Sequence, residues 1–149
     1  MLFNNKKVIL KSRPAGFPIL ENFDIINEEI NELEYGQVII EVIWLSLDPY
    51  MRGRMSQAKS YASPIEIGEV ITGGAGGQII ESRCPNFEKG NIVEGFTIGW
   101  QKYARVSSNN IRKIDPNIAP ILNDPVSPIK IFAGYLLYLR KPRHKPDIE

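Results

Sequence analysis

The sequence predicts a mainly β fold, a barrel or sandwich of short strands with few short helices. Three observations carry that reading. Apolar and polar residues alternate with period two through most of the first 115 residues, with β-branched side chains in excess. Turn signals at Tyr35-Gly36, Gly73 to Gly77, Lys89-Gly90 and Asp115-Pro116 cut the chain into pieces of strand length. No long amphipathic helical pattern interrupts them, and short strands at even spacing are the mark of barrels and sandwiches.

Taken in order, Lys7 to Ser12 reads as a strand that stops at the breaker Pro14-Ala15-Gly16. Phe23 to Glu29 is the second, with Phe23, Ile25 and Ile26 as its apolar members. Gln37 to Leu47 is the clearest: Val38, Ile40, Val42 and Trp44 share one face, and Ile39, Glu41 and Ile43 the other. Glu66 to Thr72 and Gln78 to Ser82 flank a glycine cluster, and Asn91 to Glu94, Trp100 to Val106 and Ile111 to Ile114 complete the series. Beyond them Asn117 to Pro128 is rich in Pro and Asn, and Ile129 to Leu139 is apolar and of helix length. Arg140 to Glu149 is a basic tail, read as a solvated, disordered end.

Composition narrows the function classes. A chain of 149 residues fits one domain with a real core. Its 18 basic residues against 17 acidic ones give a formal charge of +1, which excludes a globally basic nucleic-acid binder. No stretch approaches the roughly 18 apolar residues of a membrane-spanning helix. Met1 to Lys11 has no apolar signal-peptide core, so the expected location is the cytoplasm. The single cysteine, Cys84, and single histidine, His144, supply neither an internal disulfide nor a Cys/His zinc site.

The residues that could carry chemistry are few. Thr72 to Gly77 suggests a phosphate cradle, but such a loop must open a helix so that backbone N–H groups meet the phosphates. Gln78-Ile79-Ile80-Glu81 reads instead as a strand, so the glycines are expected to provide positive φ and a close strand-to-strand bend. His144 lies in the tail, where no general base is held in place. Glu28-Glu29 and Glu32/Glu34 read as solvent-facing charge. One segment differs: Trp44 to Met55 leaves a buried strand, turns at Asp48-Pro49, and presents Tyr50, Met51, Arg52, Arg54 and Met55 in close succession. A phenol can donate to a carbonyl, Met is adaptable apolar lining, and Arg pairs with anions.

That segment, Leu45-Ser46-Leu47-Asp48-Pro49-Tyr50-Met51-Arg52-Gly53-Arg54-Met55, resembles the signature of the zinc-independent medium-chain dehydrogenase/reductases, in the branch of the prostaglandin and alkenal double-bond reductases. The likeness continues through Lys59-Ser60-Tyr61, Pro64 to Val70, Gly73-Gly74, Ser82-Arg83, Pro85 to Gly90 and Gly99 to Ala104. It runs from about Lys7 to Pro120 and departs at Asn91, where Asp is usual, and at Lys102, where Glu is usual.

The resemblance implies a GroES-like, partly open β-barrel over residues 1–120, forming the substrate side of a cleft. It places Tyr50, Tyr61 and Arg52 at an enal or enone substrate and Met51 beside the cofactor, NADPH, which in the family lies on a separate Rossmann domain. Residues 121–149 are then a divergent connector and tail, and no dinucleotide fingerprint follows. The expectation is an N-terminal domain of an NADPH-dependent double-bond reductase, truncated and inactive alone. Two other readings stand beside it: one subunit of a two-chain reductase with a separate Rossmann-domain chain, and a non-catalytic GroES-like binding module. No nucleic-acid or membrane partner and no family-type dimer is expected. Apolar surface that a cofactor domain would cover is expected to be exposed.

Overall fold

The computed structural model describes residues 3–57 and 63–115. They form seven strands and one short α-helix: β1 (Phe3–Leu10), β2 (Phe23–Ile30), β3 (Gln37–Leu45), α1 (Pro49–Arg54), β4 (Ala75–Ser82), β5 (Ile92–Gly95), β6 (Tyr103–Ser107) and β7 (Arg112–Lys113). β1 and β2 make a two-stranded antiparallel ribbon, and a five-stranded antiparallel sheet runs in the order β6-β3-β4-β5-β7. The mainly β expectation holds. The two sheets do not close into one barrel, because β1 meets the rest through single bridges, Lys7 to Gln101 and Ile9 to Val70.

The apolar alternation of β3 explains its central place. Val38 and Ile40 face a core of Ala75, Ile79, Val93, Ile98, Ala104 and Val106. Ile39, on the opposite face, packs with Ile30 and Leu33 beneath the ribbon. A strand covered on both faces needs apolar residues in succession, which Val38-Ile39-Ile40 supplies. A third cluster, Leu10, Met51, Met55, Ile65 and Ile71, fills the space between β1 and α1.

Several boundaries differ from the sequence reading. β1 starts at Phe3 and ends at Leu10, because Lys11 and Ser12 turn their N–H groups to the carbonyl of Asn22. Glu66 to Thr72 is not a ladder strand. A turn with Gly68 at φ +92° interrupts it, and Val70-Ile71 becomes a rail between β1 and Trp100. Ile71 N–H donates to Val8 O at 3.0 Å while Ile71 O accepts from Trp100 N–H at 2.9 Å. Likewise Trp100-Gln101 belongs to this rail and β6 begins at Tyr103. Buried Asn5 reinforces the seam, donating to Gln101 Oε1 at 2.8 Å and accepting from Tyr103 N–H at 2.9 Å.

The glycine cluster is not a turn between strands; β4 begins inside it, at Ala75. None of its glycines has the expected positive φ, which occurs instead at Gly16, Gly36, Gly68, Gly90 and Gly99. The close strand approach is present. The β3–β4 register shifts between Val42 and Trp44, and a β-carbon on Gly77 would sit 2.1 Å from Glu41 O and 2.8 Å from Ile40 Cγ2. Neither a backbone carbonyl nor a packed isoleucine can yield that distance cheaply. Gly77→Ala is therefore expected to cost about 1–3 kcal/mol and lower the melting temperature by about 10 °C. A thermal unfolding curve superimposable on that of the parent chain would contradict this packing.

Candidate functional site

β3 delivers the chain to the site. Past Leu45, buried Ser46 donates its N–H to Gly74 O at 2.8 Å and its hydroxyl to the Asp48 carboxylate. Asp48 stands at the N-cap of α1 and Pro49 in its first turn, a pairing suited to starting a helix. The sequence reading stopped at a turn here, because six residues are too few to display a helical period. The Asp-Pro pair was the available signal.

Within α1, Met51 and Met55 lie four residues apart and enter the third cluster together, each 3% exposed. Half-buried Tyr50 and Trp100 pack along the margin of that cluster, and Trp100 stacks on Phe23 with ring centroids 6.1 Å apart. Gly73 makes the seat for Met51: a β-carbon there would lie 2.3 Å from the Met51 terminal methyl. Two polar atoms in this region, Thr72 Oγ1 and Trp100 Nε1, are buried and have no hydrogen-bond partner among the described residues.

The consecutive residues Tyr50, Met51 and Arg52 thus share one helix but do different things. Met51 is core, Tyr50 lies at its edge, and Arg52 reaches to the loop after β1. Its Nε donates to Gly16 O at 2.7 Å and its Nη2 to Pro14 O at 2.9 Å. Tyr61, the remaining residue assigned to the site from the sequence, lies outside the described residues, as do His144 and the segment 121–149.

Sequence reasoning missed Arg13 and the main-chain contacts of Arg54. Arg13 Nη1 donates to Met55 O and to Ile65 O, each at 3.1 Å, and Nη2 reaches Glu66 Oε2 at 3.2 Å. Arg54 Nε donates to Ser63 O at 3.1 Å, while Arg54 O accepts from Ile65 N–H at 2.7 Å. Apart from the Glu66 carboxylate the acceptors are carbonyls, which have no sequence signature, and those of Arg13 are more than forty positions away.

A cavity of about 260 Å³ lies beyond Gly74, walled by Phe96, Ile111 and the Glu94–Arg112 ion pair. It meets the site only through Gly74. Leu47, at 60% exposure, and Phe96, at 75%, present apolar side chains to solvent. No helix of the described residues is long and apolar enough to cross a membrane.

Electrostatic perturbation occurs away from α1, at Cys84. A hydrogen bond from the Ser108 side chain is the main cause holding its thiol below the usual cysteine range, helped by backbone N–H groups of Asn86 and Phe87 and the charge of Lys113. Burial opposes these effects. A lowered pKa means more thiolate at any given pH below it, so alkylation by iodoacetamide should reach half its limiting rate at a lower pH in the native chain than in urea. Ser108→Ala should move the native midpoint upward. Coincident native and denatured profiles would contradict the assignment.

Residues 6–114 match the family described as the N-terminal domain of oxidoreductase. The NADPH-dependent curcumin reductase of Escherichia coli is 41% identical over 110 residues, covering 74% of this chain and 32% of that protein. The NADP(+)-dependent 2-alkenal reductase of Nicotiana tabacum is 35% identical over 123 residues, covering 79% and 36%. The crystal structure of CurA from Vibrio vulnificus in complex with NADPH superposes with a TM-score of 0.67 at 42% identity, over 72% of this chain and 32% of that one. The chain therefore spans about a third of the length of the relatives it matches. The chain belongs to the family of oxidoreductase N-terminal domains, beside relatives named as NADPH-dependent reductases.

Proposed function

We propose that this chain is the substrate-side domain of an NADPH-dependent oxidoreductase that reduces the C=C bond of α,β-unsaturated aldehydes and ketones. The observation that carries the reading is the match of residues 6–114, α1 included, to a family whose full-length relatives include a curcumin reductase and a 2-alkenal reductase, both named for NADPH or NADP(+). The described residues do not fit the phosphates of such a cofactor, since the one glycine-rich run leads into β4 rather than a helix. Those phosphates belong on residues outside this domain, and the 149-residue chain alone is not expected to turn over.

When bound, the cofactor supplies a hydride to the β-carbon of the substrate. The domain's part is to hold and polarise the carbonyl. Tyr50, at the rim of the Met51 cluster, provides a phenol to donate a hydrogen bond to the carbonyl oxygen as it gains enolate charge, an effect worth about 3–4 kcal/mol for one well-placed donor. By the family resemblance Tyr61 is proposed as a second substrate contact, and Met51, buried in the third cluster, as apolar packing beneath the cofactor side. Arg52, anchored to the loop through Nε and Nη2, is the proposed charged group at the substrate.

The test is a chimera in which residues 1–115 replace the corresponding part of the E. coli curcumin reductase. It should oxidise NADPH when supplied with an enone, and Tyr50→Phe should lower kcat about a hundredfold. A folded chimera that binds NADPH and remains inert would overturn the reductase reading and favour a binding module.

A further inference from the structure

The two arginines that join the loop after β1 to α1 run in opposite directions. Arg52 extends from α1 to the carbonyls of Pro14 and Gly16, whereas Arg13 extends from the loop to the carbonyls of Met55 and Ile65. Met55 is the C-cap of α1, where carbonyls lack helical partners. A six-residue helix has too few internal hydrogen bonds to stand alone, so its position must come from tertiary contacts. On one side that contact is the burial of Met51 and Met55. On the other it is Arg13, whose Nη1 group bridges two carbonyls on chain segments flanking residues 56–64. Its side chain is only 19% exposed, so these bonds are sheltered from competing water.

We propose that Arg13 is a positioning residue for α1, setting through the carbonyls of Met55 and Ile65 where Tyr50 and Met51 sit. Only a planar guanidinium, with several N–H groups in a fixed fork, satisfies Met55 O, Ile65 O and Glu66 together; an ammonium on a lysine stem lacks that geometry. Arg13 touches no reacting atom in this account. Its importance for catalysis rests on the reading of Tyr50 and Met51 given above, whereas its hold on α1 does not.

The experiment compares the 149-residue chain with Arg13→Gln and Arg13→Lys by methyl NMR. The Met51 and Met55 methyl signals should move in Arg13→Gln, with a smaller displacement in Arg13→Lys, while the core methyls of Ile79 and Val93 stay in place. Unmoved methionine signals would overturn the proposal, as would core methyls that move by as much. If Arg13→Gln fails to fold, the same comparison in Arg13→Lys decides. Titration with (E)-3-nonen-2-one separates the two readings. Wild-type binding that weakens about tenfold, or about 1.4 kcal/mol, in Arg13→Gln supports both. Failure of the wild-type chain to respond overturns the substrate reading, and the methyl shifts still judge Arg13.

Discussion

The absence of a side chain at Gly73 and at Gly77 is the constraint on which the rest of this domain depends. At Gly77 the missing β-carbon lets β4 approach the carbonyl of Glu41, so that β3 can be shared between β4 and β6. At Gly73 it leaves the volume that the Met51 methyl occupies. One short run thus brings β4 against β3 at one end and seats the helix of the candidate site at the other. Between the two, Gly74 O accepts the N–H of Ser46 at the point where β3 gives way to the turn before α1.

From that seat the site is assembled by contacts of contrasting kinds. The methionines anchor α1 through apolar burial, which is strong but lacks direction. The arginines supply direction, because a guanidinium bond to a carbonyl fixes distance and plane together. Arg13, Arg52 and Arg54 each donate to main-chain oxygens. The helix therefore carries its tyrosine on contacts made within the chain, the preorganisation that the proposed polarising role of Tyr50 calls for.

How much of this was legible in the sequence varied with the range of the interaction that decided it. The sequence reading found β2 and β3 nearly to their ends, since turn signals and β-branched runs bound them, although β2 buries little beyond Ile30. It failed at Glu66 to Thr72, where the alternation is real but a turn at Gly68 leaves only a bridge to Ile9. It also placed a turn where β4 begins, because glycine signals both a bend and a close approach and only the neighbouring strand distinguishes them. The Tyr50-Met51-Arg52 segment was visible through its unusual composition and its resemblance to a family. Arg13 was not, since its partners, two carbonyls and the Glu66 carboxylate, are brought near only by the fold.

The most direct measurement of the central claim is a nuclear Overhauser contact between the Met51 methyl and the α-protons of Gly73 in the 149-residue chain. The account predicts a strong cross-peak, together with core contacts between Ile79 and Val93 that report a folded sheet. Core contacts without the Met51–Gly73 cross-peak would show that α1 is seated elsewhere, and would contradict the dependence of the site on the glycine run.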